Sequence, residues 1–97
     1  MAPHEIYRSL IRIHVLIEVA KAPIDSSSLA RRISDHGLTM NSESARRILR
    51  ELEAKGYLVS KEVRGRRSRR FYVLTGAGRR RRRDAKNKVR ALIEILG

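Results

Sequence analysis

The stretch SARRILRELEAKGYLVSKEVRGRRSRRFYVLTGAG, Ser44 to Gly78, changes its hydrophobic period twice, and that change decides the fold. Ala45, Ile48, Leu49 and Leu52 recur at three- and four-residue spacing, the stripe of a helix that buries one face. With Asn41 as N-cap, this helix is predicted over Ser42 to Lys55, and Gly56 stops it. Two runs rich in β-branched and aromatic residues follow, Tyr57 to Val63 and Phe71 to Thr75, joined by a loop built on Gly65 and Ser68. Thr75 then serves as N-cap of another helix, Gly76 to Leu96, whose apolar seam is Ala85, Val89, Leu92, Ile93 and Leu96.

Two more helices precede the stretch. Pro3 to Pro23 carries Ile6, Leu10, Ile13, Ile17 and Ala20 at helical spacing, and Tyr7, Ile11, Val15, Leu16 and Val19 widen that stripe beyond one face. So broad a stripe predicts a helix held between the domain core and a second subunit. From Asp25 to Gly37 lies a shorter helix, with Asp25 as N-cap, Ile24 and Leu29 as a hydrophobic staple, and Leu29, Ala30 and Ile33 inward. Three helices followed at once by a hairpin is the order of a winged helix-turn-helix. The fold class predicted is mainly α with a small β-hairpin, residues 1–75 forming a DNA-binding domain and 76–97 a C-terminal dimerisation helix.

A chain of 97 residues makes one small core, which favours association with a second copy. The formal charge of +13 is concentrated in one part: residues 1–60 hold 9 Lys/Arg against 7 Asp/Glu, residues 61–97 hold 14 against 3. Such a field favours a polyanion, because each cation placed near a phosphate releases a condensed counterion. Double-stranded DNA is the expected partner. The outer face of the third helix carries Glu43, Arg46, Arg47 and Arg50, with Ser42 and Ser44 in its first turn, all suited to base edges and phosphates. Arg64, Arg66, Arg67, Arg69 and Arg70 crowd the wing, residues 63–71, where a phosphate backbone or a narrow minor groove relieves their mutual repulsion.

Further phosphate contacts are read at Ser26, Ser27 and Ser28, whose first-turn position suits either plain capping or an anion. Arg79 to Arg83 open the last helix at its partially positive end, an arrangement that calls for a compensating anion; Arg79 and Arg80 are the phosphate candidates. Arg81 and Arg82 are expected to lay their methylenes along the seam with their heads outward. The dimer interface is read as Ile6 and Leu10 of the first helix with Ala85, Val89, Leu92, Ile93 and Leu96 of the last.

The segment ARRILRELEAKGYLVSKEVRGRRSRRFYVLTGAGRRR resembles the PadR-like winged-helix transcriptional regulators. Their Leu-x-x-Leu-Glu-x-x-Gly pattern falls on Leu49, Leu52, Glu53 and Gly56, and their Tyr-x-Leu-Thr-x-x-Gly pattern on Tyr72, Leu74, Thr75 and Gly78. Ser27-Ser28 and Arg46 stand where that family usually has a Gly-Tyr pair and a tyrosine. The resemblance implies a homodimeric, sequence-specific repressor of cytoplasmic, nucleoid-associated location. It admits a small hydrophobic effector between the dimerisation helix and the core, which no residue pattern specifies. The alternative is an architectural protein that coats DNA without sequence preference.

Other classes lack their residues. There is no cysteine, and His4, His14 and His36 are far apart with no ligand spacing, so neither metal nor cofactor is expected. No nucleophile with an adjacent base and no phosphate-cradling glycine loop occurs, so no enzyme is expected. Membrane association is not expected either, since no apolar run is long enough to span a bilayer.

Overall fold

The computed structural model describes the backbone of residues 3–97 and side-chain environments from Arg8 onward. Its elements are α1 (Pro3–Lys21), α2 (Ser26–Asp35), α3 (Ser42–Ala54), β1 (Leu58–Val63), β2 (Arg69–Leu74) and α4 (Gly76–Leu96). Each expected cap is in place. Asp25 accepts from the Ser28 amide at 3.0 Å, Asn41 from Ser44 at 2.8 Å, and Thr75 Oγ1 from Gly78 at 3.0 Å.

Helices α2 and α3 end alike. Gly37 and Gly56 have φ of +89° and +83°, and the two amides at each end turn back to free carbonyls: Gly37 to Ser34, Leu38 to Ile33, Gly56 to Glu53, Tyr57 to Leu52. Glycine suits both places because a side chain there would crowd the following carbonyl. The residue after each glycine, Leu38 or Tyr57, is apolar and packs against the core.

Leu29 and Ile33 of α2, Ala45, Leu49 and Leu52 of α3, and Val15, Leu16 and Val19 of α1 form the helical part of that core. On α1 the residues that widened the stripe are thus the inward ones. Leu10 and Ala20 are exposed and Ile13 and Ile17 half-buried, so the stripe of strongest periodicity points away from the core. Ile6 and Tyr7 lie outside the residues whose side chains are described.

β1 and β2 pair antiparallel, Leu58 opposite Leu74 and Val63 opposite Arg69, which leaves a wing loop of residues 64–68. The wing is shorter than expected, because Arg69 and Arg70 belong to β2, while Tyr57 and Thr75 fall outside the strands. Only the base of the hairpin is packed, through Leu58, Tyr72 and Leu74. A third, single-residue strand braces it: the Ile24 amide donates to Tyr72 at 3.2 Å, and the Tyr72 amide donates to Ile24 at 2.9 Å.

The start of α4 is locked to the turn between α3 and β1. The Thr75 hydroxyl donates to the Gly56 carbonyl at 2.6 Å, and its amide to Tyr57 O at 3.0 Å. A Cβ at Gly78 would lie 2.0 Å from that same Tyr57 oxygen. This close approach is the physical content of the Thr-x-x-Gly pattern. Beyond it α4 runs along α1 and then leaves the body; the chain measures 50 × 28 × 22 Å with a radius of gyration of 14.0 Å. A compact chain of this length has about 12–13 Å. The difference reflects the projecting helix.

Candidate nucleic-acid interface

Asp25, Ser26 and Ser27 at the start of α2, Arg46 and Arg50 of α3, and Arg67 to Arg70 of the wing line one cleft of about 300 Å³. Helical geometry explains the α3 share. With Ala45, Leu49 and Leu52 inward, Arg46 and Arg50 project together from the opposite face, one turn apart. The bracing strand at Ile24 explains the rest, since it draws the N-terminus of α2 against β2.

The cleft is basic but internally tied at two points. Arg69 Nε lies 3.6 Å from Asp25 Oδ2, and Arg70 donates at 3.0 Å to the Ser60 hydroxyl, which donates to Glu53 at 2.5 Å. Burial raises the Asp25 pKa, yet the hydrogen bonds from Ser28 and the charge of Arg69 outweigh it, and the carboxyl is held below its ordinary value. Arg69 and Arg70 are thereby aimed by the protein. Arg64, Arg66 and Arg67, in the loop, are exposed.

Glu43, Arg46, Arg47 and Arg50 form a continuous exposed face with Glu51 and Ala54. Arg47 also opens on a second groove, with Arg8, Arg12, Thr39 and Ser44, at the α1 side of α3. There Arg12 donates to Glu51 at 2.6 Å, which holds the Glu51 carboxyl below its ordinary range and joins α1 to α3. Ser42, Ser44, Ser26 and Ser28 are half-buried, and Ser27 is exposed.

Arg79 and Arg80 are exposed on α4. Arg79 lines a groove between the end of α1, Val73 and Leu74 of β2, and Arg82 and Arg83. It shares no lining residue with the cleft at the wing. Arg82 departs from the outward course expected of it: it is half-buried, and its Nε is enclosed with no hydrogen-bond partner.

The seam of α4 divides. Ala85 is 4% exposed, covered by the chain's own packing, and so has little surface left to offer a partner. Val89 is half-buried, whereas Leu92, Ile93 and Leu96 stand out, Leu96 being 86% exposed. Ile95, which the periodicity passed over, is exposed as well. Leu10 of α1 is another exposed apolar residue, and Ile6 lies outside the described side chains.

The histidines need a correction. His14 and His36, isolated in sequence, meet beside Glu18, their ring nitrogens 2.7 Å apart. Packing of α1 on α2 brings them together, which no spacing in the sequence displays. His4 is outside the described side chains.

A three-helix body with a braced hairpin and a basic cleft between α3 and the wing defines a winged helix-turn-helix DNA-binding protein. Residues 15–84 match the model of the transcriptional regulator PadR-like family, and the chain belongs to that family. It is 33% identical over 95 residues to the transcriptional regulator Rv3488 of Mycobacterium tuberculosis, covering 96% of this chain and 89% of that protein. The fold is similar to a PadR family transcriptional regulator from Eggerthella lenta, with TM-score 0.84, 26% identity, and 96% and 83% of the two chains covered. It is also similar to a PadR family regulator from Clostridium difficile, with TM-score 0.81, 17% identity, and 89% and 93% covered. The protein is a PadR-family transcriptional regulator. Among the described residues, no helix is long and apolar enough to cross a membrane.

Proposed function

We propose that the protein is a homodimeric, sequence-specific DNA-binding repressor, with α3 in the major groove and the wing on the phosphate backbone or in the minor groove. The observation that carries this reading is the shared cleft, which gathers Arg46 and Arg50 of α3, Arg67, Arg69 and Arg70 of the wing, and Ser26 and Ser27 of α2 around one concave surface. Arg46, Arg47 and Arg50 read bases, with Ser42, Glu43 and Ser44 beside them. Arg64, Arg66 and Arg67 contact phosphate, and the start of α2 presents free amides and hydroxyls to another.

The exposed ends of Leu92, Ile93 and Leu96, with Leu10, support a dimer in which α4 of each copy covers the other. Residues 1–75 are then the DNA-binding unit and 76–97 the dimerisation helix. A twofold pair matches a pseudo-palindromic operator with half-sites about one helical turn apart. Fluorescence anisotropy with a footprint-selected duplex and a scrambled duplex, at physiological salt, tests the reading. Tighter binding to the selected duplex is expected. Equal affinities would instead make the protein an architectural DNA coat.

A further inference from the structure

Glu18 is 1% exposed, yet it sits at the meeting of α1 and the end of α2 with four potential partners around it. Its Oε1 is 3.7 Å from His14 Nε2 and 3.6 Å from His36 Nδ1. Lys21 Nζ donates to Oε1 at 3.2 Å and lies equally close to Oε2, and Arg32 Nη1 is 3.8 Å from Oε2. Oε2 nevertheless has no aligned hydrogen bond. A carboxylate enclosed so fully and engaged so loosely by cations is poorly explained as a structural ion pair.

The two imidazoles sharpen the point. Their planes differ by 5° and their centroids are 4.9 Å apart, with nitrogens at 2.7 Å. Stacked rings cannot bring atoms closer than about 3.5 Å, so the rings meet edge to edge, joined by a hydrogen bond between His14 Nε2 and His36 Nδ1. Glu18 Oε1 lies beside this nitrogen pair, nearly equidistant from its two members. The point equidistant from the three atoms is about 2 Å from each, the bond length of zinc to imidazole nitrogen and carboxylate oxygen.

We propose that His14, Glu18 and His36 form a binding site for one divalent transition-metal ion of the zinc class. Two imidazoles and one carboxylate suit such borderline ions, whereas Mg²⁺ and Ca²⁺ select all-oxygen sites. Opening the nitrogen pair to about 3.3 Å, which exchanges their hydrogen bond for the metal, gives a tetrahedral nitrogen–metal–nitrogen angle at bonds of this length. The fourth ligand is solvent, since the His36 side chain is 50% exposed and leaves a path of entry. Lys21, which donates to Oε1 and lies 3.2 Å from Oε2, and Arg32, 3.8 Å from Oε2, flank the carboxylate as outer partners do around a metal ligand. His14 and Glu18 are one turn apart on α1, and His36 is the C-cap of α2. The ion therefore ties α1 to the turn that leads from α2 into α3.

Chelator-treated full-length protein titrated with ZnCl₂ tests the site, by calorimetry together with zinc analysis of the dialysed protein. One ion per chain is expected, with at least about a tenfold loss of affinity in His36→Gln and in His14→Gln, since even outer-partner substitutions at metal sites cost that much. Circular dichroism verifies that each variant is folded. Zinc-edge absorption spectroscopy of the wild type needs no variant and is expected to show two imidazoles bound directly to the ion. No binding at about 0.1 mM zinc, which saturates any site of micromolar affinity, would overturn the proposal. So would wild-type affinity in both variants, a zinc spectrum without two imidazoles, or equal binding of Mg²⁺.

Discussion

Two arginine clusters flank the same five residues, Phe71 to Thr75, and the structure treats them differently. Those before it lie on a hairpin whose tip leaves the core, and they either point freely to solvent or are aimed by Asp25 and Ser60. Those after it open a helix, where a 100° turn per residue sends Arg79, Arg82 and Arg83 to one groove, with Arg82 half-buried, and Arg81 toward Tyr57 and Lys55 in another. Charge density is similar, but only the first cluster converges on the cleft that α3 also lines. The hairpin brings its arginines beside α3, whereas the helix divides its own between two other grooves.

The hinge between the clusters offers the most severe test of this contrast. Gly78→Ala places a methyl against the Tyr57 carbonyl, and the expected loss is roughly 3 kcal/mol or more of the marginal stability of so small a domain. A urea midpoint equal to wild type would show that α4 is not seated as described. Next comes Ile93→Asp with Leu96→Asp, which leaves the folded body intact but puts charge on the exposed end of α4. Sedimentation should change from dimer to monomer, and an unchanged coefficient would remove α4 from the interface.

The convergence itself is tested at α3 and then at the tip. Arg50→Ala is expected to weaken a selected operator by about 1–3 kcal/mol and to relax its specificity. Arg66→Ala with Arg67→Ala should weaken all duplexes alike and flatten the logarithmic salt dependence by about 0.9 for each phosphate no longer neutralised. Arg79→Ala with Arg80→Ala, outside the cleft, should change that slope less. If the two double variants shift it equally, the clusters share the phosphate backbone and the contrast drawn between them fails.

The smallest effect concerns Asp25, which caps α2 and aims Arg69. Its folded pKa lies below the ordinary 3.8, so its contribution is present in full above that value and is lost as pH falls through the lowered folded value. Asp25→Asn retains a capping side chain and should cost less than about 1 kcal/mol at neutral pH. It should also lose less stability than wild type between neutral and strongly acid pH. Parallel acid curves for the two proteins would remove Asp25 from the acid response; Glu51, held down by Arg12, contributes to both.

Much of the body was legible because its signals are local. Asp25, Asn41 and Thr75 as caps, and Gly37 and Gly56 as stops, act on residues three or four positions away and can be read in the chain itself. The division of the α4 seam was not legible. Ala85 and Leu92 look alike in periodicity, and only the length of α1 alongside decides that the first is covered and the second bare. Arg69 and Arg70 looked like loop residues because two arginines carry little strand preference. Their pairing with Val63 and Glu62 comes from register set at the packed base of the hairpin.

The amino-acid order therefore specified the succession of helices and strands, the charge asymmetry, and the family, since each depends on neighbours along the chain. Folding in three dimensions settled which apolar face of α1 is inward, why Gly78 admits no side chain, which arginines share a cleft, and that His14 meets His36 across 22 residues. These depend on how α1 and α4 lie against the rest. Side-chain interaction between distant segments falls off within a few ångströms, and the sequence carries no measure of such distances until the core has packed.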